Sequence, residues 1–151
     1  MAGSGPLEET LRRQATALGE RVHFAGFVQV DQLPIFYGLA EALVLPSLSE
    51  PWGLVVNEAM AAGLPVIVSR QCGCAMELVY PGINGIIVDT DDSESVGRAL
   101  LAMAADAGKR QAYGGAAARI IQNFSLHTWA TSLTGCALTL HGEMNRKRNH
   151  G

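Results

Sequence analysis

The sequence predicts an α/β domain with a mainly parallel sheet and helices on both faces. Short apolar runs alternate along the chain with segments of helical spacing, as expected of strands joined by crossover helices. The runs are almost entirely apolar, which suits strands buried on both faces; they lie at residues 22–27, 42–45, 66–68 and 86–88. With 151 residues, 48% of them hydrophobic, the chain can bury a core without disulfides or metal.

The first 39 residues predict two helices around the first apolar run. Pro6 stands where a first helical residue would, and Gly19 has the backbone freedom that ends a helix. Three leucines between them are spaced to share one face, namely Leu7, Leu11 and Leu18. Asp31 is placed to cap a second helix over residues 32–39, where Pro34 is tolerated only in the first turn.

Five further helical segments follow the second apolar run. Residues 53–62 predict a helix that Gly63 ends, and residues 75–79 predict one short helix. Asp92 or Ser93 can cap the next. The last three helices carry these apolar faces: Val96, Leu100 and Met103; Tyr113, Ala117, Ile120 and Phe124; and, from Ser125 onward, Trp129, Leu133, Cys136 and Leu140. We interpret the face with Trp129 as part of the core.

Charge, cysteine usage and hydropathy narrow the class of protein. A formal net charge of −3 argues against a nucleic-acid partner, which usually requires a basic face. The cysteines have neither a closed disulfide framework nor metal-ligand spacing, so we expect reduced thiols and no metal; they are Cys72, Cys74 and Cys136. No apolar run is long enough to span a membrane, and no secretory signal is recognisable. We expect one domain at residues 1–140, a polar tail at 141–151, and a cytoplasmic location, with peripheral attachment to the inner face of the membrane left open.

The loop after residue 45 holds the strongest candidate site. It leads from the carboxyl end of a predicted parallel strand into the helix at 53–62, and ligands of such sheets bind at those ends. Gly53 lets a backbone approach a ligand closely. The first amides of the helix are unpaired and carry its positive dipole end, so they attract anions; they belong to Gly53, Leu54 and Val55.

Two glutamates bracket this helix start. Glu50 precedes it and Glu58 follows it, so both can point toward the strand-end crevice. A carboxylate accepts two hydrogen bonds at once, which suits the vicinal hydroxyls of a sugar. From these two residues alone, a solvated loop residue at Glu50 and a surface helix residue at Glu58 are the favoured interpretation, because such spacing is common by chance. Ser47 and Ser49 have no nearby His–Asp arrangement, which argues against a hydrolase triad.

A longer string around these residues resembles a known family. Residues 50–67 read Glu-Pro-Trp-Gly-Leu-Val-Val-Asn-Glu-Ala-Met-Ala-Ala-Gly-Leu-Pro-Val-Ile. This is similar to the signature of the largest group of retaining glycosyltransferases with the GT-B fold, the glycosyl transferases group 1. That signature has two glutamates separated by seven residues, an aromatic-Gly-Leu between them, and Ala-Met-Ala-x-Gly-x-Pro-Val-Ile after them. Further segments, at residues 3–6, 22–27, 77–79 and 82–85, resemble other parts of the family pattern.

The resemblance implies a role for each site residue. Glu50 would contact hydroxyls of the transferred sugar and support charge near its anomeric carbon, and Glu58 would hold the ribose hydroxyls. The amides of Gly53, Leu54 and Val55 would bind the sugar and the diphosphate. The base would lie by the loop of Gly26, Phe27 and Val28. Trp52 would either wall the sugar pocket or pack under the loop, and Glu77 would either contact the ligand or brace the loop before it.

The resemblance also implies a function. The chain would be the Rossmann-like, donor-binding C-terminal half of a GT-B enzyme, which transfers a hexose-like sugar from a nucleoside diphosphate sugar with retention and without a cofactor. Two parts of the family pattern are missing: an acceptor domain, and a first strand–helix unit whose Arg and Lys pair with the diphosphate. We therefore expect little or no transfer by the chain alone, weak nucleotide affinity, and self-association at an exposed sheet edge.

Two other functions stay open at this point. One is a non-catalytic or truncated nucleotide-sugar-binding module that needs a separate acceptor domain. The other is a sugar-nucleotide epimerase of similar fold, although the resemblance there does not extend to the string between Glu50 and Glu58. The sequence does not indicate the nucleotide base, the sugar, or whether the acceptor is a sugar, a lipid or another glycan.

Overall fold

The computed structural model describes residues 1–148 of the chain, and side chains as far as residue 141. The chain divides into two compact units, Met1–Leu39 and Ala40–Gly151.

The first unit holds two short helices and one short parallel pairing. Helix α1 spans Glu8–Ala15 and α2 spans Leu33–Leu39, which places Pro34 in the first turn as predicted. Helix α1 ends four residues before the predicted Gly19. The chain continues as a 3₁₀ segment, Thr16–Arg21, which Gly19 interrupts with a φ of 57°.

The strand predicted at residues 22–27 does not form as such. The segment pairs with Met1 to Gly3 through a single parallel bridge between Ala2 and Gly26, and Gly26 has a positive φ of 67°. Gly3 N donates to Gly26 O at 2.7 Å and Ala25 N donates to Met1 O at 2.8 Å. The paired segment is too short for a regular ladder, so an apolar run of strand composition remains an isolated bridge.

The second unit contains the predicted parallel sheet. Strands β1 (Leu43–Leu45), β2 (Val66–Ser69) and β3 (Gly85–Val88) run parallel in the order β1-β2-β3. Every residue of β2 is buried. Because side chains alternate across a strand, both faces of the sheet are covered at its centre, which confirms the predicted α/β architecture.

Helices connect and follow these strands close to their predicted positions. They are α3 (Leu54–Ala61), α4 (Ala75–Leu78), α5 (Ser93–Ala104), α6 (Ala107–Ile121) and α7 (Leu126–Arg148). Asp92 is the cap of α5, since its carboxylate accepts from Glu94 N at 2.9 Å. A 3₁₀ segment, Gln122–Phe124, links α6 to α7. Helix α7 thus continues through the predicted tail as far as Arg148, and residues 149–151 lie outside the described residues.

One part of the core lies between the sheet and α5. Ile67 of β2 and Val88 of β3 pack with Ala99 and Met103 of α5, all of them at most 5% exposed. Partly buried apolar side chains surround this cluster, namely Ala42, Val44, Ile86, Val96 and Tyr113. Val96, Met103 and Tyr113 of the predicted helical faces therefore point toward the core. Leu100 and Phe124, which belong to the same predicted faces, are exposed.

The interpretation of the Trp129 face as core is wrong. The side chains of that face are exposed, with Trp129 at 63%, and the others are Leu133, Cys136 and Leu140. Helix α7 packs against the segment Gln122–Phe124. Apolar residues at helical spacing predict that a helix has an apolar face, but they do not predict whether another part of the protein buries that face.

Arg110 is expected to stabilise the second unit. Its side chain is 19% exposed, its Nε lies 2.6 Å from Glu41 Oε2, and its Nη1 donates to the last carbonyls of α5, Met103 O and Ala104 O. Helix-end carbonyls need such partners. Arg110→Ala should lower the free energy of unfolding by about 1–2 kcal/mol in chemical denaturation.

Arg98→Ala provides the matched control. Arg98 pairs with Asp92 and Glu94, but its side chain is 64% exposed, and exposed ion pairs contribute little. The control should stay within about 0.5 kcal/mol of the unmodified chain. Equal losses in the two variants would contradict a special role for Arg110.

Candidate functional site

The candidate site is built on the loop from β1 into α3. This loop starts after Leu45 at the carboxyl end of β1, and it runs beside the loop that follows β2. Ser69 Oγ donates to Ser47 O at 2.6 Å, and Glu50 forms a parallel bridge with Cys72. The site therefore lies at the carboxyl ends of two neighbouring parallel strands, where ligands of such sheets bind.

Glu50 is half-buried at the turn before α3. Its Oε1 accepts a hydrogen bond from Trp52 N at 3.3 Å, and its backbone oxygen accepts from Gly73 N at 2.9 Å. A carboxylate has room for several donors, so the bond from Trp52 leaves acceptor capacity for a ligand. Glu50 is thus fixed in the turn by hydrogen bonds to its side chain and its backbone, and it is not a freely solvated residue.

The start of α3 is open. Gly53 is the N-terminal cap residue, it is buried, and it has a left-handed conformation with φ 97° and ψ 61°, which favours glycine. Among the described residues no side chain caps this helix. Leu54, the first helical residue, is 67% exposed. The amides at a helix start have no intrahelical acceptor, and the exposure of Leu54 places this end of α3 at the surface of the unit.

Glu58 lies on the outer side of α3. The helix buries Val56, Ala59 and Met60, whereas Leu54 and Glu58 are exposed. Residues four apart lie on the same helical face, so Glu58 is one turn beyond the open helix start. Together with Glu50, it gives this stretch of chain a carboxylate on each side of the α3 N-terminus.

The indole of Trp52 is anchored by a residue that the sequence analysis missed. Trp52 is half-buried, and its Nε1 donates to Asn57 Oδ1 at 3.0 Å. A partly buried indole N–H normally finds an acceptor. No local sequence pattern indicates Asn57 as the acceptor, because the pairing depends on how the turn before α3 folds back onto the helix.

Of the remaining predicted residues, Val55 lies in α3 and the others lie in other segments. Gly26, Phe27 and Val28 belong to the first unit, where Gly26 has a φ of 67° and Phe27 is exposed. Val55 is half-buried in the first turn of α3. Glu77 is exposed on α4. It acts electrostatically on the same buried thiol as Glu50, that of Cys74.

Two buried thiols lie beneath the turn. Cys72 and Cys74 are at most 2% exposed, whereas Cys136 is exposed, and all three are free. Burial raises the pKa of the Cys74 thiol from 9.0 to about 11, with smaller contributions from Cys72, Glu50 and Glu77. Cys74 is therefore a neutral, apolar part of the floor of the site.

The raised pKa of Cys74 predicts a loss of stability at alkaline pH. The unfolded thiol ionises near pH 9.0 but the folded thiol only near about 11. The unfolded state is therefore increasingly favoured as the pH rises through this window. The free energy of unfolding should fall between these pH values, and it should fall less steeply in Cys74→Ala. Equal alkaline slopes in denaturant titrations of both proteins would contradict the prediction.

Comparison with known proteins defines the family. The fold and the site define an α/β protein with a parallel sheet, in which ligands bind at the carboxyl ends of the strands. The family described as "Glycosyl transferases group 1" matches residues 1–120. The chain therefore belongs to this family of glycosyltransferases.

Individual relatives agree with this family. The chain is 40% identical over 113 residues to an uncharacterized glycosyltransferase of Methanocaldococcus jannaschii, which covers 74% of this chain and 29% of the relative. It is 33% identical over 147 residues to a GDP-mannose-dependent alpha-(1-6)-phosphatidylinositol monomannoside mannosyltransferase of Mycolicibacterium smegmatis, with coverages of 91% and 37%. The chain thus spans about a third of the length of the curated relatives it matches.

A solved structure with the same fold contains a nucleotide sugar. The crystal structure of Anabaena Alr3699/HepE in complex with UDP-glucose matches with a TM-score of 0.77 and 27% identity, over 91% of this chain and 40% of that one. The predicted fold class, the C-terminal half of a GT-B glycosyltransferase, is confirmed by the family match and by such neighbours. None of the helices described here is long and apolar enough to cross a membrane.

Proposed function

We propose that this chain is the donor-binding domain of a retaining glycosyltransferase, which binds a nucleoside diphosphate hexose for transfer to an acceptor. The observation that carries the proposal is the open start of α3, with Glu50 before it and Glu58 one turn beyond its first residue. The family match and the UDP-glucose complex of the Anabaena protein support it.

The proposed arrangement assigns one ligand group to each part of the site. The diphosphate meets the amides of Gly53, Leu54 and Val55, where the helix dipole supplies about half a positive charge. Glu50, held by Trp52 N, accepts hydrogen bonds from hexose hydroxyls. Glu58 accepts from the two ribose hydroxyls.

This assignment gives the chain a role in the reaction. During transfer the bond between the anomeric carbon and the diphosphate oxygen breaks, and negative charge grows on the departing diphosphate while positive charge grows on the sugar. Amides that already point at the phosphate stabilise the first charge, and the Glu50 carboxylate stabilises the second. Acceptor binding belongs, in this proposal, to parts of the relatives outside the third that this chain matches.

A ligand-detected NMR screen tests the proposal. The chain is titrated with UDP-glucose, GDP-mannose and ADP-glucose, and we expect saturable binding of at least one of them. Glu58→Ala should weaken that binding about tenfold or more, because a charged hydrogen-bond acceptor for the ribose is lost. Binding of none of the three, or unchanged binding by Glu58→Ala, would overturn the proposal.

Glu94→Ala is the matched control for this screen. Glu94 is an exposed glutamate in the first turn of another helix, α5, and it pairs with Arg98. Its removal changes the net charge by the same amount as Glu58→Ala. We expect its ligand affinity to equal that of the unmodified chain, which separates a local contact from a general charge effect.

A further inference from the structure

The loop after β2 holds the Glu50 turn in place. Gly73 N donates to Glu50 O at 2.9 Å, and Cys74 N donates to Trp52 O at 3.1 Å. The Ser69 hydroxyl adds a third contact, to Ser47 O at 2.6 Å. The backbone on both sides of the Glu50 side chain is therefore fixed by a segment that has no part in the family signature at residues 50–67.

Gly73 sets the distance between the two loops. A Cβ atom at this position would lie 2.0 Å from the carbonyl oxygen of Pro51 and 3.4 Å from Trp52 Cα. The requirement is steric, since Gly73 does not have a positive φ. Real Cβ atoms essentially never approach closer than 3.0 Å, so any side chain at Gly73 would push the Pro51 backbone away by about 1 Å.

Cys74 supports the same turn from below. It is fully buried, and its Sγ lies 3.4 Å from the position that a Cβ on Gly53 would occupy. The stem of Glu50 lies at the same distance from that position, at Cγ. Gly53 is thus enclosed by the thiol and by Glu50. Gly73 contacts the turn at the backbone of Glu50 and Pro51, so a shift there changes the distance between the Glu50 carboxylate and the helix start.

We propose that Gly73 is a positioning residue for the donor sugar. By allowing the two loops to touch, it sets the place of the Glu50 carboxylate relative to the amide of Gly53. This inference rests on the proposed function, because it assigns Glu50 to the hexose. A displacement of about 1 Å at such a site is enough to lose most of a contact, whereas Glu58, on the exposed side of α3, keeps its place.

The test compares two ligands that differ only in the sugar. Affinities for UDP and UDP-glucose, and for GDP and GDP-mannose, are measured for the unmodified chain and for Gly73→Ala. The ratio of the two affinities reports the contribution of the hexose. Gly73→Ala should reduce that ratio about tenfold, while the affinity for the nucleoside diphosphate alone stays within about twofold.

Gly114→Ala is the control for a purely structural effect. A Cβ at Gly114 of α6 would lie 2.0 Å from the carbonyl oxygen of Gly63, the same overlap as at Gly73 but at the far end of α3. It should lower the melting temperature without changing the affinity ratio. Cys74→Ala, which removes the thiol beneath Gly53, should lower the ratio even if Gly73→Ala does not fold.

The outcomes separate the inference from the function on which it rests. Failure of the unmodified chain to bind either ligand pair would overturn the proposed function, and the inference with it. Binding by the unmodified chain, with the sugar contribution fully retained in Gly73→Ala and in Cys74→Ala, would overturn the inference alone. A reduced ratio in Gly114→Ala as well would show a general consequence of instability and would also overturn it.

Discussion

Gly85→Ala is expected to lower the free energy of unfolding by about 3 kcal/mol, because it places a methyl group inside the sheet where there is no room. Gly85 is buried at the start of β3 and pairs with Val66 of β2. A Cβ there would lie 2.3 Å from Val66 O, 2.9 Å from Val66 Cγ2 and 3.0 Å from Val79 Cγ1. Backbone and side chains would both have to yield.

The residues around Gly85 do not allow β3 to move away and remove the steric overlap without weakening other contacts. Asn84, the preceding residue, is fully buried, and its side chain bridges Tyr80 N at 2.7 Å and Leu78 O at 2.8 Å. Moving β3 away from β2 would stretch this arrangement as well as the ladder. A buried polar group that loses its hydrogen-bond partner destabilises the folded state. Movement of β3 would therefore relieve the steric overlap but weaken the hydrogen bonds of Asn84.

Chemical denaturation of Gly85→Ala and Gly115→Ala measures this effect. Gly115 is an exposed residue in the middle of α6, where an added Cβ meets only Arg119 Nη1, at an ordinary 3.6 Å. Alanine there should stabilise the chain by up to about 1 kcal/mol, since it has the higher helix propensity. If Gly85→Ala unfolds at the same denaturant concentration as the unmodified chain, the tight packing at β3 is refuted.

The central elements were predictable because local and tertiary signals agree there. In β2 an entirely apolar run, which starts after Gly63 and Pro65, became a fully buried strand. In α3 the helix-forming composition, with Gly53 before it and Gly63 after it, gave the boundaries within one residue. Parallel pairing followed from the alternation of strands and helices, because a crossover helix returns the chain to the same edge.

Two elements were mispredicted because their outcome depends on neighbours. Residues 22–27 have strand composition, but a strand needs a partner, and within the described part of the chain only Met1 to Gly3 pairs with them. On α7 the spacing of Trp129 and Leu133 correctly gives one apolar face, yet that face is exposed. Composition and periodicity describe a segment, whereas burial is a property of what packs against it.

In the site, too, the features formed by consecutive residues were predictable and those formed by tertiary contacts were not. The string from Glu50 to Glu58 identified the turn, the glycine and the helix start, since these are consecutive in sequence. Asn57 and Gly73 were not identified, although they fix Trp52 and the Glu50 turn. Their importance arises from folding: one accepts from an indole across a turn, and the other allows two backbones from different strand ends to touch.

The carboxylates around the turn have opposite effects on the two ends of the ligand, the diphosphate and the hexose. Burial is the main cause of the raised pKa of the Cys74 thiol, and the carboxylates of Glu50 and Glu77 add smaller contributions in the same direction, so both place negative charge near the helix start. A diphosphate is repelled by these carboxylates and attracted by the α3 dipole. Hexose hydroxyls, in contrast, gain from a carboxylate acceptor. The sign of the effect of Glu50 should therefore depend on which ligand is bound.

Glu50→Gln is accordingly expected to weaken binding of UDP-glucose or GDP-mannose about tenfold or more, while the matching nucleoside diphosphate binds at least as tightly as before. Glutamine keeps an oxygen acceptor for Trp52 N, now 3.3 Å from Glu50 Oε1, so the turn is preserved and only charge is lost. Glu94→Gln on α5 should change neither affinity. Isothermal titration calorimetry of the nucleotide sugar and of the nucleoside diphosphate, each with the unmodified chain, Glu50→Gln and Glu94→Gln, measures these affinities. An equal loss of affinity for the sugar-bearing and the sugar-free ligand in Glu50→Gln would mean that Glu50 does not act on the hexose.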